Sequence, residues 1–405
     1  MKTVLALDVS KGNSIIASYD ETGKFIFENR IDHNCSGFAS LNQMIIQLKE
    51  EYGETPEIIF EATGVYSKAI ERFLQDNEYF YYLMNPLEAS YQTKSLRRNK
   101  TDKSDAHELA KTHFKAERRE SISQESYYED MKALSRRYND IGKEKNLYKN
   151  RLHAVLQLAF PEFEEIFDDK KAFHFRILQL YPHPNFIIGK SKTVVSNRLK
   201  KCTNKNYSTK QAKQRATQLI EVANESYPAI DEDDYRCKLV SEYAQKLLKL
   251  EEEHNLLIDE MARLSEGRKE YEVLLSFPGI QKNTACRLIG EIGDIRRFKS
   301  NKQLNAYVGI DIARHQSGNI QYKDQINKRG NRRLRSALYF MVISMLSAKD
   351  KRTNHITDYY YKLRKQPYNK PHKVAVIACV NKFLKVIYHL ITHEKLYDYK
   401  VASQA

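Results

Sequence analysis

Four carboxylates in the first quarter of the chain stand where they could do chemistry together. Asp8 closes the first apolar run (TVLALDV), Glu61 closes a later one within FEATGVY, and Asp102 and Asp105 open a helical segment in RRNKTDKSDAHELA. An acid at a strand end projects from the sheet edge, and acids three apart on a helix share a face with Cβ atoms roughly 5–6 Å apart. Gathered together, four such groups repel one another unless cations neutralise them, and hard oxygen donors suit Mg²⁺, or Mn²⁺ in its place. Two ions about 3.5–4 Å apart would clamp the attacking and leaving oxygens of an in-line phosphoryl displacement. Each residue also has a plain structural reading. Asp102 can be an acid favoured by the helix dipole, Asp105 a solvated helix charge, Asp8 a turn former before Gly12, and Glu61 a turn or cap residue. Their joint placement is what favours a metal site.

A second constellation lies in the last third. Residues 296–335 hold eleven Lys or Arg against Asp311 and Asp324, a net charge of +9 in 40 residues. A solvated helical face is rarely so one-sided, so phosphate is the expected partner. Inside the segment Ser317 precedes Gly-Asn, with Arg314, Lys328 and Arg329 around it and Arg332 and Arg333 following. Alone it reads as a turn serine; as a nucleophile it would need activation and cations to stabilise charge on the phosphoryl group. Upstream, in VLLSFPGIQKNTACRLI, a Pro-Gly-Ile turn separates two short helical stretches. This is the helix-hairpin-helix pattern, in which amides near Gly279 and Lys282 grip a nucleic-acid backbone without reading its sequence. Arg97, Arg98 and Lys100 give the acids of the first domain a basic approach.

The elements that must position these groups follow from the apolar periodicity. Three short strands separated by Lys-Gly-Asn and Glu-Thr-Gly turns, then a helix over 36–50, a strand at 57–61, a helix over 65–76, a strand at 79–85 and a helix from about Thr101 give the order βββαβαβα. That is a mixed α/β sheet with the topology of the ribonuclease H-like fold. Residues 131–159 and 239–264 each sustain a 3-4-3-4 apolar spacing over three or more heptads, which predicts a coiled-coil pair or long helical hairpin. Residues 160–235 between them, interrupted by Pro161, Pro182, Pro184 and Pro228, read as an insertion at the end of an arm. The expected domains are 1–125, an arm over 126–265, and a mainly helical domain over 266–405.

LALDVSK, EATGVY and KTDKSDA, in this order and spacing, resemble the signatures of the DEDD-type insertion-sequence transposases of the IS110 family. The stretch AYVGIDIARHQSGNIQYKDQINKRGNRRLR resembles that family's C-terminal transposase domain, with Ile312 where the family commonly has Pro. The resemblance implies a Holliday-junction-resolvase-like first domain whose metal-binding tetrad is Asp8, Glu61, Asp102 and Asp105. It further implies that Ser317 attacks DNA to form a covalent phosphoserine intermediate, and that a structured noncoding RNA encoded by the element guides the reaction. DNA and a homo-oligomer, dimer or tetramer, are the other implied partners.

Composition bounds the alternatives. The 405 residues suffice for two or three domains, and 67 Lys and Arg against 52 Asp and Glu give a net +15, weak evidence alone because the Lys-, Asn-, Ile- and Tyr-rich usage suggests an AT-rich genome. The five cysteines are odd in number and at least 35 residues apart, against a disulfide framework or a paired-cysteine zinc site. His107 and His113 are read as surface residues. The longest apolar runs, near Leu338–Leu346 and Val374–Val380, fall well short of the roughly 18–20 residues of a membrane span. With Asp8 interrupting the N-terminal apolar stretch, the chain is expected in the bacterial cytoplasm, associated with the nucleoid. Other readings are a stand-alone junction resolvase or nuclease using water in place of Ser317, a non-catalytic DNA-binding scaffold, and a sugar-kinase or actin-like phosphotransferase, which would need Gly-rich phosphate loops.

Overall fold

The computed structural model describes residues 2–86, 102–115, 124–167, 172–203, 207–313, 316–317, 320–321, 325–347 and 354–404. The chain divides into two compact units, residues 1–123 and 124–405.

In the first unit, β1 (Val4–Ser10), β2 (Asn13–Tyr19) and β3 (Phe25–Asp32) form an antiparallel meander. Its first turn is the two residues Lys11 and Gly12, and Gly12 takes the left-handed φ of +81° that favours glycine. Then follow α1 (Cys35–Tyr52), β4 (Glu57–Glu61), α2 (Lys68–Asp76), β5 (Tyr81–Met84) and α3 (Asp102–His113). The five-stranded sheet has the order β3-β2-β1-β4-β5, with β4 parallel to β1 and β5 parallel to β4. Alternate residues of each strand face opposite sides, and both sides are covered. Leu5, Leu7, Val9, Ile58 and Phe60 pack under α1 and α2, while Val4, Ala6, Ala17 and Ile59 pack under Ala106, Leu109 and Ala110 of α3.

The second unit is almost wholly helical. Helix α4 (Ser126–Ala159) leads into α5 (Phe163–Ile166), α6 (Ala172–Leu180), α7 (Lys192–Lys201), α8 (Thr209–Glu225) and α9 (Tyr235–Ser265). Helices α4 and α9 form an antiparallel hairpin within one chain. Tyr148 meets Tyr243, Tyr138 stacks on His254 with ring centroids 3.7 Å apart, and Tyr127 Oη and Ser265 Oγ are 2.9 Å apart. The two apolar stripes thus meet each other inside the chain, as the expected long helical hairpin does. Arg137 and Lys145 add ion pairs to Glu253 and Glu251 along the edges. The described residues of 160–235 form a cap: Phe160, Phe163, Phe175, Leu178, Tyr181, Leu199 and Leu219 form one core with Leu152, Leu156, Val240 and Leu247 at the hairpin tip.

The base of the hairpin is built into the last helices, which are α10 (Lys269–Ser276), α11 (Lys282–Ile292), α12 (Asn301–Val308), α13 (Arg332–Ser347), α14 (His355–Arg364), α15 (His372–Thr392) and α16 (Tyr399–Gln404). Met131, Tyr138 and Met261 share their core. Gly290 of α11 allows close approach to α4, because a Cβ there would lie 2.5 Å from the Met131 carbonyl oxygen. Helix α15 is longer than the apolar run seen in its sequence, and by length and composition alone it could cross a membrane. Its Val376, Cys379, Val380, Phe383, Leu384 and Ile387 are instead at most 1% exposed within this core. Four of the five cysteines are buried and none is disulfide-bonded; burial pushes the Cys286 thiol up to about 11 and Cys379 up to about 12.

Candidate active site

The first unit brings two of the four acids side by side. In the β1–β4 ladder Leu7 pairs with Phe60, so the next residues, Asp8 and Glu61, follow on adjacent strands spaced about 4.8 Å apart. Parity places both on the α3 side, since Val4 and Ala6 precede Asp8 at two-residue steps and Ile59 precedes Glu61. The apolar covering of that face therefore ends in two half-buried carboxylates at the same edge. Beyond Glu61 the chain turns through Gly64 (φ +67°) and leaves Val65 78% and Tyr66 44% exposed beside the acids.

Asp105 lies one helical turn before Leu109, which is buried on the same face, and is therefore on the sheet-facing side of α3. Asp102 is the first residue of α3, with its side chain outside the described residues; Arg97, Arg98 and Lys100 also lie outside them. Two histidines read from sequence as surface residues instead brace this helix. His107 sits between Tyr19 Oη (2.7 Å) and Glu28 Oε2 (2.9 Å), and His113 is buried with Nε2 2.5 Å from Glu57 Oε2. Glu57 is the first residue of β4, so α3 ends over the start of that strand and begins away from it. Only the partners, 56 to 88 residues away in sequence, could have exposed these braces. Among the described side chains no three of His, Cys, Asp and Glu stand close enough to share an ion. The donor set nevertheless fits a hard cation: adjacent like-charged carboxylates on one face, with two further acids at the start of the helix that covers it.

The serine lies in the second unit. Strand β6 (Ile312–Ala313) pairs with β9 (Gln325–Ile326), and β7 (Gln316–Ser317) pairs with β8 (Ile320–Gln321). These two short ladders are termed the serine ribbon, and in the second of them Ser317 pairs with Ile320. The Ser317 side chain, Arg314 and residues 318 and 319 lie outside the described residues.

The ribbon's base is locked by the AYVG and KRGN segments. Lys328 and Asn331 donate backbone N–H bonds to the carbonyls of Gly309 (2.9 Å) and Tyr307 (2.7 Å). Gly309 and Gly330 touch backbone to backbone; a Cβ on Gly330 would stand 2.2 Å from the Tyr307 carbonyl oxygen and 2.4 Å from the Gly309 nitrogen. The Asn331 carboxamide oxygen accepts from the amides of Arg333 and Leu334, capping α13, while its nitrogen donates to buried Glu291 at 2.8 Å. Arg335 fixes the same corner by donating to the Val308 carbonyl at 2.7 Å. Arg332 and Arg333 consequently occupy the first turn of a helix, exposed, where the dipole disfavours cations. An anion drawn to that turn would relieve the conflict, and a DNA or RNA phosphate qualifies.

The helix-hairpin-helix pattern is present as α10, a turn at Phe277–Ile280 and α11. Gly279 takes φ +96° there, and the first turn of α11 has no side-chain cap, leaving its amides open to a phosphate. Lys282 is ion-paired with Asp259 of α9. It therefore ties the turn to the arm in this structure.

Comparison with known proteins follows the same two regions. A transposase family model, that of the DEDD-type IS110 enzymes, matches residues 5–161, and a model described as the transposase IS116/IS110/IS902 family matches residues 271–360. The transposase for insertion sequence element IS1111A of Coxiella burnetii is 27% identical over 140 residues, 34% of this chain and 37% of that protein. The pilin gene-inverting protein of Moraxella bovis is 29% identical over 130 residues, 32% of this chain and 39% of that one. The similarity thus spans less than two fifths of either relative. The mini-circle putative transposase for IS117 of Streptomyces coelicolor is 24% identical over 416 residues, covering 97% of this chain and 94% of its own. With one model on the carboxylate-bearing sheet and the other on the serine ribbon and its base, the chain belongs to the IS110 family of transposases.

Proposed function

We propose that this protein is a DNA transposase that cuts and rejoins strands by metal-dependent phosphoryl transfer, with Ser317 as nucleophile. The observation that carries the reading is the placement of Asp8 and Glu61 at the same end of adjacent strands on one sheet face, in a chain whose other matched region holds Ser317 among basic residues. The strand order β3-β2-β1-β4-β5, with β4 and β5 running parallel to β1, supports a ribonuclease H-like assignment for residues 1–125. The α4–α9 hairpin is the coiled-coil arm (126–265), and residues 266–405 form the serine-bearing domain.

Asp8, Glu61, Asp102 and Asp105 would hold Mg²⁺ or Mn²⁺, which when bound neutralises charge on the reacting phosphate. Ser317 Oγ forms a bond to phosphorus while the phosphorus–sugar oxygen bond breaks. The sugar oxygen leaves as a hydroxyl carrying the proton the serine gave up, and attack by a second strand end reverses the step. Arg332, Arg333, Lys328 and Arg329, with Arg314, orient the phosphate and offset its charge. The amides near Gly279, beside Lys282, and Arg97, Arg98 and Lys100 would hold flanking backbone. Family resemblance extends the reading to guidance by a structured noncoding RNA, a homo-oligomeric working form and a cytoplasmic, nucleoid-associated location.

The test is to express the chain with the DNA flanking its reading frame and to analyse products on denaturing gels. DNA attached to protein through phosphoserine at residue 317 is expected, absent in Ser317→Ala. Cleaved DNA free of protein would assign water as the nucleophile, and no cleavage in Mg²⁺ or Mn²⁺ would overturn the reading. Sequencing of copurifying nucleic acid should return one discrete RNA species.

A further inference from the structure

Helix α15 has two apolar stripes: one is fully buried in the core, and the other packs against it while staying partly exposed. The second, at Val374, Ile377, Ala378, Val386 and Leu390, follows helical spacing over roughly 24 Å at 1.5 Å per residue. It floors an open groove of about 1370 Å³ whose other walls include Ile310, Ile312 and Ile326 at the base of the serine ribbon and Leu396 and Val401 near the C-terminus. Val374 is 50% and Leu396 60% exposed. This is why the helix reads as apolar all round, while only 44% of its most apolar window is buried.

Charge identifies what fits. Lys328, Lys370, Lys373, Lys382, Lys385 and Lys395 line the groove against one acid, Asp398. Among the described residues none of the six is ion-paired, whereas Lys145, Lys269 and Lys282 of the same unit are. Lys382 lies over the Tyr359 ring, Nζ 4.9 Å from its centroid, at one wall. A duplex would satisfy the lysines through its phosphates but keeps its base faces stacked inside, leaving the apolar floor in water. An unpaired strand offers both chemistries at once, phosphates for the rim and base faces for the floor and Tyr359.

We infer that this groove binds an unpaired nucleic-acid strand and leads it past the base of the serine ribbon. The inference rests on the proposed nucleic-acid chemistry of the chain, but binding alone reads it out. Fluorescence anisotropy of full-length protein with labelled 15-nucleotide oligothymidylate, oligouridylate and a hairpin duplex, at fixed salt, provides the measurement. The exposed double variant Lys373→Glu/Lys385→Glu and the separate floor variant Val374→Gln should each weaken both single strands, the former about tenfold or more, with the duplex changed less than about twofold. Preference between the oligomers distinguishes a displaced DNA strand from RNA, and either result supports the groove. Bromouracil-containing strands should crosslink to residues 355–402.

Equal loss on the duplex would reduce the lysines to general electrostatics and overturn the assignment. So would unchanged strand binding, and so would a change in sedimentation without a change in strand affinity, which would give the groove to a second copy of the chain. Ser317→Ala should leave strand affinity intact, so loss of cleavage in that variant and loss of binding in the groove variants report on separate claims.

Discussion

At the scale of single residues, the two-residue period of a strand explains why part of the site was readable in advance. Val4 and Ala6 are fully buried on the α3 side, so the acid two positions on interrupts a pattern that would otherwise continue into core. Glu61 does the same after Ile59. Two like charges on neighbouring strands repel each other in the absence of a cation, which gives a prediction that does not depend on activity. Added Mg²⁺ should raise the wild-type thermal transition measured in EDTA and leave that of Asp8→Asn where it was. A wild type indifferent to Mg²⁺ and Mn²⁺ in thermal unfolding would count against these acids as ligands. The same substitution, and Glu61→Gln, should lower strand cleavage by on the order of 10²–10⁴-fold, from several kcal/mol of lost charge stabilisation, with nucleic-acid affinity within about twofold. Asp105 and Ser317 were legible only as motif positions, because nothing in local spacing says which strand a helix will cover or which turn a ribbon will present. The bracing histidines were illegible for the same reason: the partners of His107, Tyr19 and Glu28, are 88 and 79 residues away.

At the scale of elements, strands and long helices were foreseen where periodicity is strong. The heptad stripes of α4 and α9 are real, but an apolar seam does not state whether its partner is another copy or the same chain returning; Tyr138 against His254 and Tyr127 against Ser265 answer that. The prolines of residues 160–235, read as an insertion at the end of an arm, punctuate helices that share a core with the hairpin tip. The hairpin base and the last helices carry a pH dependence that can be checked. Burial lowers His254 to about 4, with Lys145 and Arg287 acting in the same direction, and burial with the help of Lys382 lowers His355 to about 4. Each has a buried Nε2 with no partner. An unfolded histidine titrates near 6.5, so between about pH 6.5 and 4 the unfolded state binds more protons, and stability falls as pH falls through that window. The melting temperature should drop between pH 7.5 and 5, and His254→Gln should flatten the slope; an unchanged slope in that variant would place the dependence elsewhere. The glycine lock predicts a separate loss. Gly330→Ala must displace backbone at Tyr307 or Gly309 and should destabilise the second unit by about 2–4 kcal/mol, seen as a lower denaturant midpoint with an unchanged slope.

At the scale of the whole molecule, the charge divides as the cores do. Residues 1–123 contain 16 Lys and Arg against 19 Asp and Glu, a net −3, so residues 124–405, with 51 against 33, carry +18. The net +15 of the chain is thus an average over a slightly acidic unit and a strongly basic one. Each core cluster draws its residues from a single unit, as a unit able to fold alone requires. Counterion release ties the salt dependence of binding to the number of phosphates neutralised, and that number should be set by the second unit. Residues 124–405 expressed alone should therefore unfold in a cooperative transition and bind single strands and duplex with nearly the full-length affinity. Their slope of log K against log salt should lie within about one unit of the full chain's, while cleavage is absent because Asp8, Glu61, Asp102 and Asp105 are gone. A slope reduced by half would mean that the first unit grips much of the backbone despite its net charge, and would move Arg97, Arg98 and Lys100 from an accessory to a principal role in binding. A fragment that fails to fold would instead show that the two units depend on each other for stability, which the separation of their cores argues against.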